Sequence, residues 1–158
     1  MNRYLVVATE DELQLPWAKA MSDHKPIVTG VGGTNVIRAL RDLPRDAEIV
    51  NVGYAGSICY PVGTIQWVSY CRLWHPNVDF KEPSFKLSET GHVICLTAGD
   101  FVLDGSLLPF HTVVDMELAY IAAFGFAKLT AIKYISDNLN YKEYESSIEL
   151  CKESQVFK

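Results

Sequence analysis

The sequence predicts a single α/β domain that spans residues 1–158. Short apolar runs alternate with segments of helical periodicity, a pattern typical of strands that are buried on both faces of a sheet. The chain is 49% hydrophobic and 21% charged, which provides enough apolar material for a core without disulfides. No linker-like change of composition divides the chain, so one domain is expected.

Strands are predicted where a short apolar run is bounded by turn residues or charges. These runs are Tyr4–Ala8, Pro26–Thr29, Glu48–Val52, Ile65–Arg72, His92–Ala98, Thr112–Val114 and Leu129–Ser136. Helices are predicted where apolar residues recur with a spacing that places them on one face. These segments are Glu10–Met21, Thr34–Arg41, Met116–Phe124 and Tyr141–Lys152. The stretch Trp74–Thr90 contains two prolines and several polar residues, and we expect a long surface loop there.

The charge balance argues against a nucleic-acid partner. The chain has 14 Lys and Arg against 19 Asp and Glu, a net charge of −5, and no run of basic residues that would neutralise phosphates. No segment approaches the roughly 18 apolar residues that cross a bilayer, and no apolar run resembles a secretion signal. We therefore expect a cytoplasmic protein that binds a small molecule and has no membrane partner.

The cysteines give no sign of a metal site or a disulfide framework. Cys59, Cys71, Cys95 and Cys151 are far apart, and no C-x-x-C spacing occurs. We expect reduced thiols, most of them buried.

Two glycine-rich segments follow predicted strands. They are Thr29-Gly30-Val31-Gly32-Gly33-Thr34 and Gly53-Tyr54-Ala55-Gly56-Ser57. Ligands of open α/β sheets bind outside the carboxyl ends of the strands, and glycine lets the backbone approach a ligand closely. Neither segment is a dinucleotide fingerprint or a P-loop, and tight turns would also explain them. Together they indicate a pocket at this edge of the sheet.

Three acids also lie near predicted strand ends: Glu12, Glu117 and Asp137. Each has a local explanation. Thr9 and Glu12 match a capping box, Glu117 suits the first turn of a helix, and Asp137 could cap the last helix. Three acids at the edge where this class of fold binds ligands nevertheless favour a carboxylate-lined active site.

Several motifs appear in the order found in the purine nucleoside phosphorylase superfamily, and the sequence most closely resembles its methylthioadenosine/S-adenosylhomocysteine nucleosidases. The motifs are Ala8-Thr9-Glu10-Asp11-Glu12, Thr29-Gly30-Val31-Gly32, Asn51-Val52-Gly53-Tyr54-Ala55-Gly56, Gly99-Asp100-Phe101, Val114-Asp115-Met116-Glu117 and Ile135-Ser136-Asp137. The resemblance implies a central mixed β-sheet flanked by helices. It also implies hydrolysis of the N-glycosidic bond of an adenosine-like nucleoside.

The resemblance further implies a role for each matching residue. Purine N-glycosidic bonds break through an oxocarbenium-like transition state, so the leaving base needs a proton and the sugar needs a nucleophile. Asp137 is implied as the acid at the base, with Ser136 orienting it. Met116 and Glu117 are implied to bind the ribose, and Glu12 to activate water. The implied base contacts are Phe101 and the backbone of Val102, and Gly53 and Ala55 complete the implied substrate site.

Hydrolysis and phosphorolysis both occur among the proteins that the chain resembles. Phosphorolytic relatives commonly carry an arginine where this sequence has Asn51, and they typically lack Glu12. Both differences favour water as the nucleophile, although Arg38 and Lys133 could still supply positive charge. Lys133 stands where nucleosidases usually have arginine, which weakens any bidentate contact to Glu12 or Glu117. A phosphorylase and an inactive nucleoside-binding protein remain alternatives.

The chain is short for these nucleosidases, with apparent deletions between Met21 and Pro26 and after Trp74. The deletions fall where the family usually shapes the pocket around the sugar and the 5′-substituent. The resemblance also implies a homo-oligomer, a dimer or larger. No metal or organic cofactor is expected, because carboxyl groups and binding energy can supply the catalysis.

Overall fold

The computed structural model describes residues 2–75, 84–100, 102, 108 and 111–139. Within these residues the chain forms one mixed sheet of nine strands with short helices on both faces, which confirms the predicted fold class. The strands are β1 (Arg3–Val7), β2 (Lys25–Val28), β3 (Glu48–Gly56), β4 (Ile65–Trp67), β5 (Tyr70–Trp74), β6 (Ser84–Lys86), β7 (Ile94–Ala98), β8 (Thr112–Asp115) and β9 (Lys128–Asp137). The helices are a 3-10 helix (Glu10–Gln14), α1 (Pro16–Ala20), α2 (Gly33–Leu40) and α3 (Leu118–Ala122).

Parallel pairing brings several strand ends to one edge of the sheet. β3 pairs in parallel with β1 and, along its whole length, with β9. β8 meets β3 only at its tip, where Gly56 pairs with Val114 in the antiparallel sense. The carboxyl ends of β1, β3, β8 and β9 therefore converge, which is where an α/β sheet places its ligand.

Apolar side chains pack on both faces of β1 and β3. On one face, Leu5 and Val50 pack with residues of the 3-10 helix and α1, including Leu13 and Ala18. On the other face, Val6 and Ile49 pack with residues of α2 and α3. Burial on both faces explains why these strands appear as continuous apolar runs rather than alternating ones.

The predicted helix Glu10–Met21 is divided in two. Leu15 separates the 3-10 helix from α1, with an extended backbone at φ −64° and ψ 141°. The physical cause is Pro16, which has no N–H to donate and disfavours the helical conformation in the residue before it. The expected capping box is present, since the Glu12 carboxylate accepts the N–H of Thr9 at 3.1 Å.

Two further predictions needed correction. The single strand predicted at Ile65–Arg72 is two strands, because the chain leaves β9 after Trp67 and joins β7 from Tyr70 onward. The predicted loop Trp74–Thr90 contains β6, which pairs antiparallel with β5. Apolar content predicted the strands, but it did not predict where the pairing partner changes.

The helix predicted at Met116–Phe124 is shorter, because α3 begins only at Leu118. The predicted helix Tyr141–Lys152 and Cys151 lie outside the described residues. Cys71 and Cys95 are buried free thiols, as expected, whereas Cys59 is half-buried. Among the helices in the described part of the chain, none is long and apolar enough to span a bilayer.

Candidate active site

A pocket opens where the carboxyl ends of β1, β3, β8 and β9 converge, and most of the predicted site residues line it. The lining includes Glu12, Ala55, Val102, Met116, Glu117, Ser136 and Asp137. Gly53 is not part of this lining, but a Cβ atom at its position would meet the Glu12 side chain. Phe101 lies outside the described residues. The sequence motifs thus come together although they are widely spaced along the chain.

Glu12 reaches the pocket from the 3-10 helix and is 5% exposed. Its Oε1 accepts the N–H groups of Ala8 at 2.7 Å and Thr9 at 3.1 Å, and its Oε2 accepts the N–H of Tyr54 at 2.8 Å. Burial raises the pKa of Glu12, although the charge of Lys133 and the three N–H donors act in the opposite direction. The carboxylate is fixed in orientation and can take up a proton more readily than an exposed glutamate.

The absence of a side chain at Gly53 makes room for Glu12. A Cβ atom at this position would lie 2.7 Å from Glu12 Oε2 and 3.5 Å from Lys133 Nζ. The Glu12 carboxylate and the Lys133 ammonium group therefore both approach β3 at Gly53, where the strand has no side chain. Gly53 acts in the site through the space it leaves open.

Glu117 lies between the end of β8 and the start of α3. Its Oε2 accepts the N–H of Gly32 at 2.8 Å, so it does not cap its own helix, as its position in the sequence would allow. Burial raises the pKa of Glu117 to about 7, and the charge of Asp115 adds to this effect, while Lys133 and the Gly32 N–H oppose it. This carboxyl group can therefore change its protonation state near neutral pH.

Asp115 and Lys133 form a buried ion pair behind the pocket. Lys133 Nζ lies 2.9 Å from Asp115 Oδ2, and the two side chains are 2% and 1% exposed. Burial is the largest single effect on each group and favours its neutral form. The attraction between the two charges, together with the hydrogen bonds to Asp115 and the acidic groups around Lys133, outweighs burial, so the pKa of Asp115 is lowered and that of Lys133 is raised. Among the described carboxylates only Asp115 lies within ion-pair distance of the Lys133 ammonium group, so Lys133 makes no ion pair with Glu12 or Glu117.

Asp137 ends β9, and hydrogen bonds from its neighbours orient its carboxyl group. The Ser136 hydroxyl donates to Asp137 Oδ2 at 2.8 Å, and the N–H of Leu139 donates to Oδ1 at 2.7 Å. Gly56 on the adjacent strand permits this position, because a Cβ there would lie 2.9 Å from Asp137 Oδ1. Asp137 thus has a fixed orientation in the pocket. A role as a helix cap alone would not require its side chain to point there.

Comparisons with solved structures show which proteins share this fold. The methylthioadenosine/S-adenosylhomocysteine nucleosidase (MTAN) from Chlamydia trachomatis, bound to adenine, is 15% identical with a TM-score of 0.73. The match covers 96% of this chain and 92% of that chain. The 5′-methylthioadenosine/S-adenosylhomocysteine nucleosidase from Neisseria meningitidis, in complex with methylthio-immucillin-A, is 16% identical with a TM-score of 0.73, at 96% and 93% coverage. The chain has the nucleosidase fold.

The futalosine hydrolase of Helicobacter pylori also shares the nucleosidase fold, at 14% identity and a TM-score of 0.72, with 96% of this chain and 92% of that chain covered. No protein-family profile and no curated protein sequence matches the chain. The solved structures thus confirm the fold that the sequence motifs implied.

Sequence reasoning missed several residues that line the pocket. Val31, Tyr54, Asp100 and Leu139 contribute to its walls, and the Tyr54 hydroxyl donates to Asp11 at 2.9 Å. Val31 and Tyr54 belong to the glycine-rich segments, so those segments were informative about more than their glycines. No local pattern marked Leu139, which lies two residues after the end of β9 and has a φ of +72°.

Proposed function

We propose that the chain is a purine nucleosidase that hydrolyses the N-glycosidic bond of an adenosine-like nucleoside of the methylthioadenosine or S-adenosylhomocysteine type. The observation that carries this proposal is the convergence of three carboxyl groups, those of Glu12, Glu117 and Asp137, on one pocket at the carboxyl edge of the sheet. Cleavage of this bond needs an acid for the base, an acceptor for the sugar hydroxyls and a base for water.

In this reaction Asp137 protonates the purine as the glycosidic bond breaks. A protonated base is a better leaving group, because the bonding electrons move onto a ring that already carries the new proton. The Ser136 hydroxyl, at 2.8 Å from Asp137 Oδ2, keeps the carboxyl group aimed at one position. Val102, and Phe101 by resemblance, contact the base.

The sugar becomes cationic as the base departs, and Glu117 stabilises it. Its carboxylate accepts hydrogen bonds from the ribose hydroxyls, and these bonds strengthen as positive charge develops on the ring. Met116 packs against the sugar. Glu12, held by three backbone N–H groups, accepts a proton from the attacking water, and its raised pKa suits this role.

Two observations support water over phosphate as the nucleophile. Asn51 is buried in the sheet and its Nδ2 donates to Val6 O at 2.9 Å, so this position supplies no cation to an anion. The backbone N–H groups of Gly32 and Tyr54 are already bonded to carboxylates of the chain, those of Glu117 and Glu12. A phosphate placed near these carboxylates would be repelled.

The substrate class is supported by the ligands of proteins that share the fold. One is bound to adenine and another to methylthio-immucillin-A. The same resemblance supports a homo-oligomer, a dimer or larger, which light scattering on the purified chain would test.

A panel of purine nucleosides, incubated with and without phosphate and analysed by chromatography, tests the proposal. We expect free purine and free sugar in both conditions, with no dependence on phosphate. Formation of sugar 1-phosphate only in the presence of phosphate would replace the nucleosidase by a phosphorylase. A ligand-induced rise in Tm without release of base would instead indicate a nucleoside-binding protein.

A further inference from the structure

Lys133 is a costly residue at its position in the fold. It lies in the centre of β9, where its neighbours on the same face, Ala131 and Ile135, are buried apolar residues. Its ammonium group is removed from water and pairs with Asp115 at 2.9 Å. A buried ion pair of this kind is often no more stabilising than apolar side chains of similar volume. Its presence next to the pocket therefore calls for a role other than stability.

One connection runs from Lys133 to Glu117 through Asp115. Besides Lys133, Asp115 accepts the Thr97 hydroxyl at 2.7 Å and the N–H of Leu118 at 2.8 Å. Thr97 Oγ1 in turn accepts the N–H of Ala119 at 2.9 Å. Leu118 and Ala119 form the first turn of α3, immediately after Glu117. The ion pair thus fixes the backbone from which the Glu117 side chain reaches the pocket.

A second connection is electrostatic. Because Gly53 has no side chain, Lys133 Nζ and Glu12 Oε2 both lie close to the same point of β3. Glu12, Asp115 and Glu117 are three buried carboxyl groups around one buried cation. Like charges in a low-dielectric interior repel strongly, so the three cannot all be anionic without that cation.

We propose that Lys133 is a positioning residue that fixes Glu117 through Asp115 and supplies the positive charge that lets Glu12 and Glu117 ionise beside each other. The inference rests on the proposed nucleosidase activity for its consequence, a pocket in which Glu12 and Glu117 can ionise near neutral pH. Lys133 would control the charge of these carboxyl groups although it does not line the pocket itself.

The groups that surround Glu117 set the direction of each expected effect. The charged groups that act on it are Asp115 on β8, Lys133 on β9 and Glu12 on the 3-10 helix. The thiols of Cys71 on β5 and Cys95 on β7 also face the ion pair, and burial raises the pKa of Cys71 to about 12, so it stays neutral. Removing the lysine charge should raise the pKa of Glu117, whereas removing the Asp115 charge should lower it.

Carboxyl carbon NMR on glutamate-labelled protein measures this directly and needs no turnover. The Glu117 signal is assigned by its loss in Glu117→Gln, and its titration is followed in the parent, Lys133→Met, Lys133→Arg, Asp115→Asn and the double variant Lys133→Met/Asp115→Asn. We expect the midpoint to move up by about one pH unit or more in Lys133→Met and down in Asp115→Asn. Lys133→Arg and the double variant should stay near the parent.

The double variant also protects the test against misfolding. Lys133→Met alone leaves Asp115 buried and unpaired, which is strongly destabilising, whereas the double variant removes both charges together. If Lys133→Met does not fold, the double variant is compared with Asp115→Asn, from which it differs only at residue 133, and equal Glu117 midpoints in these two proteins overturn the inference. Unchanged midpoints in both single variants would overturn it as well.

Base release, measured on the same proteins, separates this inference from the proposed function. We expect Lys133→Met to lower kcat/KM at neutral pH by about tenfold or more and to move its acidic limb to higher pH, with Lys133→Arg restoring most of the loss. If the parent releases no base but the NMR midpoints move as expected, the nucleosidase proposal fails and the charge role of Lys133 stands. If the parent releases base but the midpoints do not move, the nucleosidase proposal stands and the charge role of Lys133 fails.

Discussion

The Glu117 carboxylate accepts a 2.8 Å hydrogen bond from the backbone N–H of Gly32, a residue 85 positions away in the chain. This bond joins the start of α3 to the glycine-rich loop before α2. Gly32 has a φ of +90°, which side-chain-bearing residues rarely adopt, so the loop depends on glycine to present its N–H in this direction. The contact places the ionisable Glu117 carboxyl group against the glycine-rich loop. Without it, the Gly32 N–H would be available to an anion.

Glu117→Gln should lower turnover about 10²-fold or more while leaving Tm within a few degrees of the parent. Glutamine keeps the shape of the side chain and an oxygen that can accept the Gly32 N–H, but it removes the negative charge that would stabilise a cationic sugar. Steady-state rates and thermal unfolding measure the two effects. Glu10→Gln, an exposed acid of the 3-10 helix, is the control. Equal turnover in the two variants would show that Glu117 has no part in the reaction.

Stability should also depend on pH through Glu117. The pKa of this group is about 7 in the folded protein against 4.5 for an ordinary glutamate, so the folded state binds its proton more tightly than the unfolded state. The contribution of Glu117 to the free energy of unfolding is therefore fully present below about pH 4.5 and is lost as the pH rises through about 7. Urea denaturation at about pH 5 and about pH 7.5 should show a smaller loss of stability in Glu117→Gln than in the parent. The same loss in both proteins would contradict the raised pKa.

The central strands were predictable because they are largely buried on both faces and therefore form continuous apolar runs. The β1 and β3 segments illustrate this, since the predicted strands Tyr4–Ala8 and Glu48–Val52 begin within one residue of the observed ones. The pairing partners were not predictable. Ile65–Arg72 is one apolar run, yet its two halves pair with β9 and β7, and the choice depends on contacts distant in the sequence.

The candidate site was predictable to the extent that motifs carried it. Glu12, Glu117 and Asp137 occur in recognisable segments, and parallel pairing of β1, β3 and β9 then brings two of them together. The ion pair of Asp115 with Lys133 was not predictable. The two residues lie on different strands, and a lysine within an apolar run says nothing about which acid it meets. Local sequence specifies the residue type, and the tertiary structure selects its partner.

Gly53→Ala should impair the site without disrupting the sheet. The added Cβ would lie 2.7 Å from Glu12 Oε2, so the carboxylate must move and its bond from the Tyr54 N–H must lengthen. We expect turnover to fall by about 10- to 100-fold, because small displacements of catalytic groups are costly. Gly99→Ala is the matched control, since no described atom lies within 4 Å of a Cβ at that position. A rate that falls no further in Gly53→Ala than in the control would rule out this view of Gly53.

Asp137→Asn distinguishes a catalytic acid from a structural residue, because the two roles predict opposite results. Asparagine keeps an oxygen that can accept the Leu139 N–H. Its NH2 group can donate to the Ser136 hydroxyl, which is able to accept as well as donate a hydrogen bond. The variant should therefore fold normally and bind nucleoside with modest loss. It cannot transfer a proton to the purine, so we expect base release to slow by roughly 10²- to 10⁴-fold.

The control for this variant is Asp42→Asn, an aspartate whose side chain is 92% exposed and which does not line the pocket. Chromatography of released base gives the rate, and ligand-induced changes in Tm report binding in the same samples. If Asp137 only holds the turn after β9, asparagine serves nearly as well and the rate should match that of the control. A rate within about threefold of the parent would reject the acid role, since a lost general acid typically costs at least about 10²-fold. The proton for the leaving base would then have to come from another group in the pocket.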